Sequence, residues 1–254
     1  MSTSSSADLP AGWAEPFYAG KRVLVVGAAS GIGAGLARGF AGAGADVIAT
    51  GRNEAERDAI AASLPGAEAL ALDVRDAEAV KATIAGLGTL DALVVTAGII
   101  LRDAEHEPET FDAVLDVNLS GSMRCCAAAR PLLAASGSGA ILLTASMLSF
   151  FGGARVPGYA ASKGGIAQLT KSLALAYADE NIRVNALAPG WIATALTAEL
   201  QADPSRSAGL LGRTPMGRWG TPEDLVPPAL FLCSPLAGFV TGTIMPVDGG
   251  YAVA

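Results

Sequence analysis

The sequence predicts an α/β fold: a doubly wound parallel sheet of seven strands with helices on both faces. Three observations predict it. Short apolar runs rich in β-branched residues recur along the chain, Ala-rich stretches separate them, and a Gly-rich turn follows the first run directly. Strands that read as continuous rather than alternating apolar runs are buried on both faces, and parallel pairing requires crossovers between them. "KRVLVV" (21–26) is the first strand. "GAASGIG" follows and opens a helix to about Gly42. "DVIAT" (46–50), "EALAL" (68–72), "DALVV" (91–95), "AILLTA" (140–145), "IRVNALA" (182–188) and "TIMPV" (243–247) are strands two to seven. The Ala-rich segments 109–134 and 158–178 are expected as long helices. Right-handed crossovers then bring the carboxyl ends of the strands to one edge, where ligands of such sheets bind. No linker or internal repeat divides the chain, so residues 20–254 are expected to form one domain holding both a dinucleotide and the chemistry.

Composition narrows the function. Of 254 residues, 51% are apolar and 16% charged, enough to bury a large core. The net charge of −7 argues against nucleic acid or an anionic membrane as partner, since both need a basic face. No apolar run approaches the roughly 18 residues of a membrane span. Residues 1–19 lack the basic start and apolar centre of a secretory signal. They are expected as a flexible polar arm ending near Phe17 and Tyr18, a point able to dock on the domain. Cys125, Cys126 and Cys233 show neither metal spacing nor a disulfide framework, which points to free thiols in a reducing cytoplasm. The single His106, in the acidic stretch "RDAEHEPET", rules out a multi-histidine metal site and reads as a solvated loop residue. No metal is expected.

The nucleotide end is marked three times. Gly27, Gly31 and Gly33 lie between a strand and a helix, where glycine lets the backbone approach a phosphate and the helix N-terminus offers free N–H groups. Asp73 in "LDV" ends strand three and can accept from an adenine amino group. "TAG" (96–98) ends strand four with small residues that leave room for a flat ligand.

"GYAASKGG" (158–165) sets Tyr159 and Lys163 four positions apart, on one face of a helix. That spacing alone also describes the wet side of an ordinary amphipathic helix. With "GAASGIG", "LDV", "TAG", "DVNLSG", "NALAPGWIAT" and "GRWGTPEDL…TGTIMPVDGGY" in this order, the chain resembles the short-chain dehydrogenase/reductase family from about Lys21 to Tyr251. The resemblance implies a Rossmann-type fold and a catalytic tetrad of Asn118, Ser146, Tyr159 and Lys163. Tyr159 exchanges a proton with the substrate oxygen. Lys163 lowers the phenol pKa and holds the nicotinamide ribose. Ser146 stabilises charge on the substrate oxygen, and Asn118 positions a relay water. A free phenol has a pKa near 10, and lowering it by about three units takes roughly 4 kcal/mol of differential stabilisation. A neighbouring ammonium and the oxidised nicotinamide are the sources of it. The implied cofactor contacts are Gly27, Ser30, Gly31, Ile32, Gly33, Arg52, Asp73, Val74, Ala97, Gly98, Tyr159, Lys163, Pro189, Ile192 and Thr194.

The chain departs from the family pattern at Val26, where a Thr is usual, and at Val95 and Thr96, where two Asn are usual. Cofactor choice turns on "ATGRNE" (49–54). The position of the acidic residue that selects NAD corresponds to Gly51, and Arg52 follows, able to grip a 2′-phosphate with two parallel hydrogen bonds. NADP is therefore expected, with NAD the alternative, because Ser30 is not the basic residue many NADP users carry there. Met147, Phe151 and Trp191, together with Ser146, are candidate substrate contacts in a mostly apolar pocket. Arg155, four residues before Tyr159, either pairs with a carboxylate or phosphate of the substrate or lies on the surface or in a subunit contact. The expected reaction interconverts a secondary alcohol and a ketone: a polyol, keto-sugar or small hydrophobic ketone. Reduction of a 3-oxoacyl thioester, or a non-catalytic cofactor-binding regulator, remains as alternative. A regulator is expected to lose Tyr, Lys or Ser from the active positions, and this chain keeps all three. The small residues of segments 109–134 and 158–178 permit close helix packing. The resemblance makes these a dimer contact and the C-terminal "DGGYAVA" part of a second, so a homotetramer is expected.

Overall fold

The computed structural model describes residues 12–254. Strands β1 (Arg22–Val26), β2 (Asp46–Gly51), β3 (Glu68–Ala71), β4 (Ala92–Val95), β5 (Ala140–Thr144), β6 (Arg183–Pro189) and β7 (Ile244–Val247) form one sheet in the order β3-β2-β1-β4-β5-β6-β7. Every neighbouring pair is parallel. The helices, in chain order, are α1 (Glu15–Tyr18), α2 (Gly31–Gly42), α3 (Glu54–Ser63), α4 (Ala77–Ala85), α5 (Pro108–Leu115), α6 (Gly121–Ala135), α7 (Pro157–Tyr177), α8 (Ala198–Ala202), α9 (Pro204–Gly212) and α10 (Val226–Cys233).

Successive side chains of a strand point to opposite faces, so a wholly apolar strand feeds two cores. Val23 and Val25 of β1 pack with Leu36 and Phe40 of α2, Ile60 of α3 and Leu230 of α10. Leu24 and Val26 pack with Ile84 of α4, Cys126 and Leu133 of α6, and Ile166 and Leu173 of α7. The seven strands and their direction are those the sequence predicts. Strand order reverses between β1 and β4, which opens a crevice at their carboxyl ends.

One feature differs from the expected helices. Segment 109–134 is not one helix. α5 and α6 are joined by a π-helical turn, Asp116–Ser120, with Asn118 at its centre. Wide turns of this kind interrupt helices chiefly at functional sites. Here the Asn118 side chain is drawn to the loop after β4: Ile99 N–H donates to its Oδ1 at 2.8 Å, and its Nδ2 donates to Ile99 O at 3.0 Å. At the other end of the chain, residues 1–11 of the predicted arm lie outside the described residues. The arm's last turn docks through Tyr18, which is buried, donates to Leu230 O at 2.6 Å and sets its ring edge-on to Phe40. Among the described residues no helix is long and apolar enough to cross a membrane.

Candidate active site

The crevice between β1 and β4 has a floor only glycine can form. Gly27 takes φ +87°, and a Cβ there would lie 2.6 Å from Ala97 N. A Cβ on Gly33 would meet Gly27 O at 2.1 Å and Thr96 Oγ1 at 2.5 Å. Ser30 precedes α2 in extended conformation without capping it, so the first N–H groups of α2, at Gly31, Ile32 and Gly33, have no side-chain partner. By contrast Asn53 and Asp76 cap α3 and α4. A tight glycine cradle under an uncapped helix N-terminus fits a pyrophosphate. Thr194, from the segment after β6, closes over it: its Cγ2 would lie 3.2 Å from a Cβ on Gly31. Pro189 ends β6, and Ile192 is buried and bridges to Gly220. Thr96 replaces the usual Asn without loss of the strand tie, since its hydroxyl donates to Val26 O at 2.8 Å. Val26 and Val95 are core residues, and Thr144 Oγ1 joins β5 to β4 by donating to Val95 O.

Tyr159 lies in the first turn of α7 and Lys163 one turn on, as the spacing predicts. Lys163 is almost wholly buried, with its Nζ 5.4 Å from the Tyr159 ring centroid and donating to Thr144 O at 2.6 Å. Burial pulls its pKa down to about 8. Burial raises the Tyr159 pKa, while the Ser146 hydroxyl and the charge of Arg102 act the other way. Ser146 follows β5 and accepts from Leu148 N–H at 3.1 Å, which leaves its own proton free to donate. Its turn is fixed to α7 by Ser149, which accepts from Ser146 N–H and donates to Lys163 O at 2.6 Å. Asn118 is buried beside this pair. Its Nδ2 also donates to Ser162 Oγ at 3.1 Å, and Ser162 donates in turn to Tyr159 O at 2.7 Å. Gly98 sits between Asn118 and Lys163, with only small space for a side chain of its own.

At the far end of the crevice, Arg52 follows β2 and is exposed. Its Nη2 lies 3.3 Å from Glu56 Oε1, and its N–H donates to Glu56 Oε2. Asp73 is held by Arg75 through both Nε and Nη2, and this pairing lowers its carboxyl pKa. Val74 is buried against Gly121.

The candidate substrate residues are scattered. Met147 is buried behind Ser146, whereas Phe150 and Phe151 are exposed. Trp191 lines a cavity of about 360 Å3 with Thr214, Met216 and Asp248, and packs edge-on to Trp219 and Tyr251. Arg155 lines another, of about 400 Å3, with Leu101, Arg102, Glu199 and Arg206. Arg155 is paired there with Asp103. Arg102 forms no ion pair among the described residues and donates to Leu196 O at 3.3 Å. Sequence reasoning missed Arg102, Arg75, Ser149 and Glu105. Only Ser149 carried a local signal, a hydroxyl three residues after Ser146, the spacing of a reciprocal cap.

Fold and site together define a nicotinamide-dependent oxidoreductase of the doubly wound class. A family model described as enoyl-(acyl carrier protein) reductase matches residues 27–252. The 2-dehydro-3-deoxy-D-gluconate 5-dehydrogenase of Pseudoalteromonas atlantica is 43% identical over 246 residues, covering 91% of this chain and 96% of that protein. The L-tagatose-forming galactitol 2-dehydrogenase of Cereibacter sphaeroides is 41% identical, covering 92% and 96%. The crystal structure of a gluconate 5-dehydrogenase from Burkholderia cenocepacia, in complex with NADP and tartrate, superposes with a TM-score of 0.89 at 35% identity, over 94% of this chain and 97% of that one. The chain belongs to the short-chain dehydrogenase/reductase family.

Proposed function

We propose that the protein is an NADP-preferring oxidoreductase that interconverts a secondary hydroxyl and a ketone on a polyhydroxylated, carboxylate-bearing substrate of the sugar-acid type. The observation that carries the reading is the convergence of Tyr159, Ser146 and Lys163 beside the glycine cradle at the start of α2. Within residues 20–254 one domain holds the cofactor and performs the chemistry.

A bound nicotinamide supplies the hydride in reduction and accepts it in oxidation. The rest is done by the chain. Ser146 Oγ donates to the carbonyl oxygen and stabilises the charge that develops there. Tyr159 gives its proton to that oxygen in reduction and removes it in oxidation. Lys163 keeps an ammonium near enough to the phenol to favour the phenolate, and its remaining N–H groups would hold the nicotinamide ribose. Asn118 braces the start of α7 and keeps one Oδ1 lone pair for a water shared with Lys163. Gly27, Ser30, Gly31, Ile32, Gly33 and Thr194 hold the pyrophosphate. Asp73 and Val74 would hold the adenine end, and Ala97, Gly98, Pro189 and Ile192 would hold the nicotinamide half.

The substrate class is supported by the sugar-acid relatives and by the cation that Arg102 brings to the cavity after β4, within electrostatic reach of Tyr159. Arg155, paired with Asp103, is a support of that cavity rather than its receptor. For the cofactor, Arg52 receives the 2′-phosphate. A homotetramer is supported by exposed Leu175 on α7 and by Leu236, Phe239 and Val253 toward the C-terminus. The three unpaired thiols fit a cytoplasmic protein.

Substitution Tyr159→Phe tests the reading. Turnover is expected to fall by about 10²- to 10⁴-fold, the range general acid–base catalysis contributes, while NADP titration stays close to the parent's. Turnover within a few-fold of the parent sinks the assignment. A panel of aldonic acids, neutral polyols and hydrophobic alcohols tests the substrate class, with the acids expected to lead in kcat/KM.

A further inference from the structure

Besides Lys163, one side chain of the Asp, Glu, Lys, Arg and His type is buried among the described residues, and the chemistry above does not use it. Glu105 is 1% exposed. It lies in a short 3-10 turn, Ala104–His106, at the end of the loop that follows β4. A buried carboxylate is costly unless its oxygens are satisfied. Both are: Oε1 accepts from Leu101 N–H at 2.7 Å and Oε2 from Tyr159 N–H at 2.7 Å. No cation is ion-paired to it among the described residues.

The partner at Tyr159 gives this contact its meaning. α7 has Val156 at its N-cap and Pro157 at its first position, so no local side chain caps the 21-residue helix. Pro157 has no N–H, so Tyr159 N–H is the second backbone donor of that helix, and Glu105 caps it from 54 residues away. The helix N-terminus carries partial positive charge, which replaces the missing cation partner. Gly158 makes room: a Cβ there would lie 3.4 Å from Glu105 Oε2 and 3.3 Å from Phe111. The same carboxylate anchors Leu101, next to Arg102, so one group ties the proton-transfer residue to the loop bearing the substrate-side cation.

We propose that Glu105 is a positioning residue for Tyr159, clamping the first turn of α7 to the loop after β4 and holding a negative charge at the backbone of that turn. This rests on the acid–base reading of Tyr159, whose own failure shows separately as retained turnover in Tyr159→Phe. The charged groups around the phenol are Lys163 on its own helix, and Arg102 and Glu105 on the loop; the Ser146 hydroxyl faces it from the end of β5. Glu105 acts on the phenol in the direction of a higher pKa, opposite to Arg102.

The test is a phenolate absorbance titration of the NADP complex, with the Tyr159→Phe signal subtracted, beside kcat on whichever alcohol of the panel the parent oxidises fastest. Glu105→Gln keeps the side-chain size but removes the charge and turns one acceptor into a donor facing an N–H. Its Tyr159 midpoint is expected to move to lower pH, and kcat at the alkaline plateau to fall by about 10- to 100-fold, as for a slightly misplaced reacting group. Glu105→Asp keeps the charge on a shorter stem. It is expected to hold the parent's midpoint while losing part of kcat. A Glu105→Gln midpoint and kcat equal to the parent's overturn the proposal, as does an equal midpoint shift in both variants, because a purely structural cap moves stability without distinguishing charge. Should Glu105→Gln not fold, Glu105→Asp decides alone: reduced kcat at the parent's midpoint supports the clamp, and parent kcat refutes it.

Discussion

Lys163 illustrates how a buried ammonium costs stability. Its ammonium has one protein acceptor, Thr144 O, and burial lowers its pKa from 10.5 to about 8. A depression of that size corresponds to about 3 kcal/mol of unfavourable charge burial. The unfolded chain binds the proton more tightly, so the penalty is full below pH 8 and fades as pH rises toward 10.5. Lys163→Met is therefore expected to raise the thermal midpoint of the cofactor-free protein at pH 7 while turnover falls by at least about 100-fold. Differential scanning calorimetry beside an activity assay checks both, and a lower midpoint contradicts the argument. Arg52 gives a second prediction at this scale. A charge-assisted contact to a phosphate is worth about 1.5–3 kcal/mol, so Arg52→Leu is expected to lower kcat/KM for NADP by about 10- to 150-fold and leave NAD nearly unchanged. Gly51→Asp is a poor companion to it, because a Cβ at Gly51 would lie 2.5 Å from Glu56 Cβ and 2.9 Å from Glu56 C, forcing the first turn of α3 to move. A parent that favours NAD refutes the role of Arg52. That Tyr159 and Lys163 share one helix face was legible from their spacing, while Ser146 was singled out only through the family resemblance. Glu105 was not. "RDAEHEPET" reads as a solvated acidic loop, and only the arrival of α7's uncapped end makes one of its carboxyl groups interior.

Among the elements, the turn from β1 to α2 is the most tightly determined. Gly33 packs so close to Gly27 O that a single methyl group has nowhere to go. Gly33→Ala is expected to displace the turn and abolish detectable NADP binding in a fluorescence titration. Far-ultraviolet circular dichroism should stay near the parent's, since the sheet's core lies elsewhere. Binding within a few-fold of the parent contradicts this geometry. Strands were legible almost to the residue, because burial on both faces leaves short, continuous apolar runs rich in β-branched residues. The break between α5 and α6 was not. "FDAVLDVNLSGSM" carries no proline, its Ser-Gly pair does not foretell a π-helical turn, and the wide turn exists because Asn118 bonds the backbone of Ile99, a partner 19 residues away. The partner of Arg155 was not legible for a similar reason: Asp103 reaches it from another loop.

At the level of the whole molecule, Leu175 on α7 and Phe239 after α10 stand in solvent, and single exposed apolar side chains of this size are ordinary only when scattered. Multi-angle light scattering at micromolar concentration is expected to give a mass near four times the 25.4 kDa of one chain. A mass of one chain contradicts the tetramer. The bond from Tyr18 to Leu230 bears on the order in which the molecule can be assembled. It spans 212 positions, and the pocket that receives the Tyr18 ring is completed by α10. A chain emerging from the ribosome therefore carries its first helix without a docking place until more than nine-tenths of the sequence has been made. β7, which finishes the sheet, follows α10 in the chain and arrives later still. The N-terminal turn is thus a late closure, and its protection from proteolysis during synthesis reports the completion of the fold rather than its beginning.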